Sequence, residues 1–130
     1  MDDFYRELIV ERYKNPAHKG IHKHSIRHFE DENPLCGDVL EIDLDIDEKG
    51  TIRDARFDGQ GCAISQASAD LLLESIIGKN LTEIRDLSKE DVLKLLGIDL
   101  SPARLKCALL SLKVLKGAAY GLDHLGEDAE

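Results

Sequence analysis

Cys36, Cys62 and Cys107 are the only cysteines in this 130-residue chain, and each has its own local setting. The first lies in Asn33-Pro34-Leu35-Cys36-Gly37-Asp38, the second in Gly59-Gln60-Gly61-Cys62-Ala63, and the third follows Ser101-Pro102-Ala103-Arg104-Leu105-Lys106. Glycine beside the first two predicts turns, where φ > 0 is allowed and a metal can approach the backbone closely. With Asp38 two residues after Cys36, the set offers three sulfurs and one carboxylate oxygen. Such a set suits zinc, or the iron of an iron-sulfur cluster, better than an oxygen-seeking ion.

The plain alternative is packing, because cysteine behaves as a small hydrophobe and is among the most buried residue types. Spacing does not decide the matter: no C-x-x-C pair is present, and gaps of 25 and 44 intervening residues match no zinc-finger pattern. Local sequence argues against packing for the first two. Glycine weakens strand and helix interiors, and aspartate resists burial.

The elements that must position these residues are legible in outline. Phe4, Leu8, Ile9 and Tyr13 recur at helical spacing up to Lys14, and Asn15-Pro16 stops the pattern. Val39 to Asp47 alternates, with Leu40, Ile42, Leu44 and Ile46 on one face and Glu41, Asp43, Asp45 and Asp47 on the other. After the Asp47-Glu48-Lys49-Gly50 turn, Ile52 to Phe57 reads as the returning strand, with an alternation blurred enough for a bulge. Ser25 to Phe29 is a third strand candidate. Ala63 to Ile77 predicts a helix closed by Gly78, which puts Cys62 at a strand-to-helix junction whose positive end favours an anionic sulfur. Ser88 with Asp91 resembles a capping box for a short helix ended by Gly97. Ser101 and Pro102 then open a last helix to about Tyr120, with Cys107 in its second turn beside the cations Arg104 and Lys106. From Gly121 the tail is polar and expected to fray. Helix, strands, then helices predicts an α+β fold: a small antiparallel sheet of about three strands with helices on one face.

Composition bounds the rest. At 42% hydrophobic, residues 1–130 are read as one domain. No apolar run is long enough for a membrane span, and an N-terminus with Asp2, Asp3 and Glu7 lacks a signal-peptide pattern, so a cytoplasmic location with reduced thiols is expected. A net charge of −9 argues against nucleic acid and for a partner with a basic surface.

The three cysteine contexts, together with Arg12-Tyr13-Lys14-Asn15-Pro16, Phe57-Asp58-Gly59-Gln60-Gly61-Cys62-Ala63-Ile64-Ser65 and Pro102-Ala103-Arg104-Leu105-Lys106-Cys107-Ala108-Leu109, resemble the U-type iron-sulfur cluster assembly scaffolds: IscU, SufU and the N-terminal part of NifU. The resemblance covers nearly the whole chain. It implies a SufE/NifU-like fold and a scaffold on which sulfur from a cysteine desulfurase and iron become a 2Fe-2S cluster for transfer to acceptor apoproteins. It further implies a homodimer as one form of the cluster-bound state. Cys36, Cys62 and Cys107 match the ligands, and Asp38 matches an exchangeable fourth ligand or controller of release. Carboxylate oxygen holds iron less firmly than thiolate, which leaves one labile corner.

Two departures bear on function. Lys106 stands where IscU proteins have histidine, as in SufU proteins; a lysine ligates only when neutral, so Lys106 is assigned to charge balance or sulfur transfer. The stretch Leu100-Ser101-Pro102-Ala103-Arg104 differs from the chaperone-recognition sequence of IscU. Conversely, the insertion typical of SufU between the second and third cysteines has no room here. The resemblance therefore favours the cluster scaffold, which is not an enzyme in the ordinary sense, with a zinc-dependent sulfur acceptor as the alternative and a purely structural zinc module third. His18, His22, His24 and His28, and the acidic strand face, are read as solvated surface, the latter also as a docking face for a basic desulfurase.

Overall fold

The computed structural model describes residues 2–21, 27–33 and 37–120. In chain order the elements are α1 (Asp2–Lys14), β1 (His28–Asn33), β2 (Asp38–Ile46), β3 (Ile52–Gln60), α2 (Ala63–Ile76), α3 (Leu81–Arg85), α4 (Lys89–Leu96) and α5 (Pro102–Tyr120). The strands form one antiparallel sheet in the order β1-β2-β3. Helices α2 and α5 pack together and on the sheet, and α1 packs on α2. This is the α+β arrangement that the sequence predicts.

Alternation in β2 sends Leu40, Ile42 and Leu44 into the core, where they meet Ala55 and Phe57 of β3 and the apolar stripes of α2 and α5. Each large side chain removed from water in this way contributes about 1.5–3 kcal/mol as an upper estimate. Between Asp45 and Ile46 the register slips so that Arg53 has no opposite number, which is the expected bulge. Strand β3 runs to Gln60, three residues past its predicted end. Gly59 is therefore a strand residue rather than a turn residue: its φ is +137°, and a Cβ there would lie 2.1 Å from the Val39 carbonyl oxygen. Gly37, by contrast, does take the left-handed conformation at φ +73°, with its N–H bonded to the Asn33 carbonyl at 2.8 Å.

Four local expectations need correction, and helix α3 is an element that the sequence reading did not predict. The third strand spans His28–Asn33, not Ser25–Phe29; residues 25 and 26 lie outside the described residues. Its sequence, HFEDEN, has one apolar side chain, so no alternation marks it, and pairing with β2 together with Phe29 against Gly117 of α5 defines it instead. Tyr13 is 48% exposed rather than part of the buried stripe, because the α1 face turned to α2 carries Ile9 and Arg12. Helix α3 carries no strong apolar period and is set by Asn80, whose side chain accepts from Thr82 N–H while Glu83 accepts the Asn80 N–H. Asn80-Leu81-Thr82 is thus a helix cap. Finally, His18 and His28 are half-buried: His18 lies on the free edge of β3, and His28 sits in β1 between Glu41 (3.2 Å) and Asp43 (3.6 Å). Asp43 is itself buried and Asp47 is a turn residue accepting from Lys49 and Thr51 N–H, so the acidic strand face is only partly wet. His22 and His24 lie outside the described residues.

The other boundaries agree with the sequence reading. Helix α2 ends at Ile76 with Gly78 at φ +92°, and the Gly78 N–H bonds the Ile52 carbonyl, tying the helix end to the start of β3. Asp91 accepts both the backbone N–H and the hydroxyl of Ser88, and those bonds hold its carboxyl below the usual range. Gly97 ends α4 in the left-handed conformation.

Candidate metal centre

Asp38 is the first residue of β2, at the end of the sheet, where it is 3% exposed. Cys62 is the N-cap of α2, in extended conformation (φ −72°, ψ 166°), two residues past the end of β3. Because β3 pairs with β2 up to Val39–Gln60, the end of β3 is brought beside the start of β2. Cys107 lies in the second turn of α5, buried at 4%, and comes to the same place because α5 packs along α2. The Cys62 and Cys107 sulfurs and a carboxylate oxygen of Asp38 lie within 4.8 Å of one another. Cys62 is exposed, whereas Asp38 and Cys107 are buried, so the site has two inner walls and one open side.

Hydrogen bonds fix this arrangement. One oxygen of Asp38, Oδ1, accepts the Cys62 backbone N–H at 3.1 Å, satisfying an otherwise orphaned donor at the start of α2; the other, Oδ2, lies 3.5 Å from the Cys62 Sγ. Ser65, one turn on, donates to the Cys62 carbonyl at 3.1 Å and has its Oγ 4.0 Å from the Sγ. Gly61 makes room: a Cβ on it would lie 2.6 Å from Asp38 Cγ and 2.8 Å from Ser65 Oγ. Its glycine is therefore needed for close approach. Of the two thiols, Cys62 is exposed and Cys107 is buried.

Two thiols and a carboxylate at these separations fit a tetrahedral ion, since bonds of about 2.3 Å to sulfur place neighbouring ligands about 3.8 Å apart. Cys36 lies outside the described residues; in the chain it precedes Asp38 by two positions. Lys106 is exposed beside Cys107 on α5.

The sequence reading took Gly61 for a turn residue, assigned no role to Ser65, three residues after Cys62, and missed the partners of Arg12. Arg12 donates to Asp70 at 2.9 Å and twice to Glu74 at 2.8 Å, while the His18 N–H donates to the other oxygen of Asp70 at 2.8 Å. Asp70 is fully buried. Glu74 holds the Arg12 guanidinium above its ordinary range, and Arg12 in turn lowers Glu74. The ion pair clamps α1 and the edge segment at His18 to α2, the helix that presents Cys62. Nothing local marks it, because Asp70 and Glu74 lie 58 and 62 residues from Arg12 in the sequence.

A thiol-and-carboxylate centre at one end of a three-stranded sheet backed by two helices defines a class of metal- or sulfur-handling α+β protein. The chain belongs to the NifU-like N-terminal domain family, whose model matches residues 4–124. It is 36% identical over 137 aligned positions to the zinc-dependent sulfurtransferase SufU of Bacillus subtilis, covering 92% of each chain. It is 37% identical over 130 positions to the iron-sulfur cluster assembly scaffold protein IscU of Thermotoga maritima, covering 88% of this chain and 91% of that one. Among solved structures, a candidate iron-sulfur cluster assembly scaffold protein for the SUF system from Fervidobacterium islandicum superposes with a TM-score of 0.68 at 29% identity, covering 87% of this chain and 94% of the other. Among the described residues, no helix is long and apolar enough to cross a membrane.

Proposed function

We propose that this chain is a scaffold for assembly of 2Fe-2S clusters, which are its cargo: it accepts sulfur from a cysteine desulfurase, joins it with iron and passes the cluster to acceptor apoproteins. The observation that carries this reading is the convergence of Asp38, Cys62 and Cys107 from three separate elements onto one half-open site. Cys36, two residues from Asp38, is the fourth side chain of the site. Thiolates hold iron and sulfide, and the open side at Cys62 admits a donor and an acceptor. Asp38 is the exchangeable ligand. One of its oxygens is engaged by the Cys62 N–H, and a carboxylate oxygen holds iron less firmly than a thiolate and releases it more readily. Lys106 balances negative charge at the rim. Residues 1–130 act as one domain, working in the cytoplasm as a scaffold whose only chemistry of its own is sulfur acceptance.

The similarity to a zinc-dependent sulfurtransferase, with Lys106 in place of histidine, favours a second reading in which the same four side chains hold zinc and one cysteine takes up sulfur. Anaerobic reconstitution separates the two. A scaffold supplied with ferrous iron, desulfurase and cysteine gives equal iron and acid-labile sulfide and the broad visible absorption of a 2Fe-2S centre, and zinc inhibits it. A protein that takes up sulfur only with about one bound zinc per chain, and never assembles iron with sulfide, overturns the first reading.

A further inference from the structure

Gln66 is an anomaly in the interior: it is 3% exposed, yet among the described residues neither its Nε2 nor its Oε1 has a hydrogen-bond partner. Buried amides are nearly always paired, and one left unpaired costs stability. The location gives it meaning. The Gln66 backbone N–H donates to the Cys62 carbonyl at 3.2 Å, closing the first turn of α2. Cys62, Gln66, Asp70 and Glu74 follow at four-residue spacing and share one stripe of the helix. Arg12 engages Asp70 and Glu74, so Gln66 is the remaining polar side chain of that stripe between the ion pair and Cys62. Side chains in a helix lean toward its N-terminus, which directs the Gln66 side chain toward the turn that begins at Cys62.

We propose that the Gln66 carboxamide is a hydrogen-bond donor to sulfur carried on Cys62, holding the outer atom of a Cys62 persulfide. This rests on the sulfur acceptance common to both readings above. In the loading step the Cys62 thiolate attacks the outer sulfur of a donor persulfide or polysulfide. A new S–S bond forms as the donor's S–S bond breaks, and the donor leaves as a thiolate, so no external oxidant is needed. The exposed side of Cys62 admits the donor. The outer sulfur then stands about 2 Å beyond Sγ and carries negative charge. The Asp38 carboxylate, 3.5 Å from Sγ, repels it on one side, whereas an amide N–H on the helix side attracts it with the strength of a charge-assisted bond. The unpaired amide of the unloaded protein becomes a paired one when sulfur arrives.

The test loads the full chain with inorganic polysulfide, locates added sulfur by peptide mass spectrometry, and follows its loss to dithiothreitol. Gln66→Met keeps the length of the side chain and removes the donor. The expected result is discharge of Cys62 about tenfold faster than in the unchanged protein, from a variant whose unloaded form melts at a higher temperature because a buried unpaired amide is gone. Equal discharge rates overturn the proposal. On the unchanged protein, the 15N-labelled side-chain amide resonance of Gln66 is expected to shift on loading; an unmoved resonance overturns it as well. Failure of Cys62 to take up sulfur also overturns it, and leaves iron, sulfide and zinc content to judge the scaffold and zinc readings separately.

Discussion

The carboxylate of Asp38 and the backbone N–H of Cys62, 24 residues apart in sequence, are joined by a 3.1 Å hydrogen bond that makes a side chain of β2 the cap of α2. The same carboxylate therefore serves the fold and the site. Asp38→Ala is expected to lower the stability of the unloaded protein by about 1 kcal/mol, the usual cost of a lost cap, and to lengthen the lifetime of a bound cluster by closing its labile corner. Decay of cluster absorbance after mixing with an apo-ferredoxin measures the second effect. Loss as fast as in the unchanged protein removes Asp38 from the release step.

Gly61→Ala places a methyl group 2.6 Å from the Asp38 carboxylate, which is buried and has nowhere to retreat. A cost of about 1–3 kcal/mol is expected from overpacking, with cluster lifetimes moving in the same direction as in Asp38→Ala. Chemical denaturation and the same transfer assay check both. Normal stability and normal transfer together would show that the carboxylate can move aside freely.

Serine at Cys36, Cys62 or Cys107 replaces a soft ligand with a hard one, and each single change is expected to weaken retention of iron or zinc. Cys107→Ser should also destabilise the unloaded protein, because that thiol is buried, whereas Cys62→Ser should not. Metal analysis after gel filtration, paired with thermal melts, reads the two effects separately. Full metal content in any one variant excludes that cysteine.

Arg12→Met leaves the fully buried Asp70 carboxylate without its cation and is expected to cost about 3 kcal/mol at neutral pH. Arg12 lowers Glu74 below the ordinary glutamate value of 4.5, so this pair's contribution is present above that pH and is lost as pH falls through the lowered value in the folded protein. The stability gap between the two proteins should therefore narrow on acidification below about pH 4.5. Urea titrations at neutral pH and at about pH 3.5 test the sign; a gap that stays constant or widens contradicts the assignment.

Gly117 lets α5 lie against the ring of Phe29, where a Cβ would come within 2.5 Å. Gly117→Ala should cost about 1–3 kcal/mol, and much less in a Phe29→Ala background, since the ring is the obstacle. A double-mutant cycle with no coupling would show that α5 and β1 adjust independently.

The sequence by itself determined the elements whose signals are local. The alternation of Leu40, Ile42 and Leu44, the proline stop at Pro16, the Ser88–Asp91 box, and Gly78 and Gly97 after their helices each act within a few residues, so each could be read in one dimension. The cysteines and Asp38 were legible as a set because their residue types belong together chemically. Tertiary structure alone decided what depends on distant partners. Strand β1 exists through its pairing with β2 and the contact of Phe29 with Gly117, not through a pattern of its own. Gly59 is a strand residue because the Val39 carbonyl passes where a side chain would stand. Arg12 has a buried partner 58 residues away, Cys107 is inward and Cys62 outward on one site, and Gln66 is sealed without a partner one turn behind Cys62. None of these has a local signature, because burial and pairing are properties of what the chain brings together, and a linear pattern records only which side chains are available to be brought.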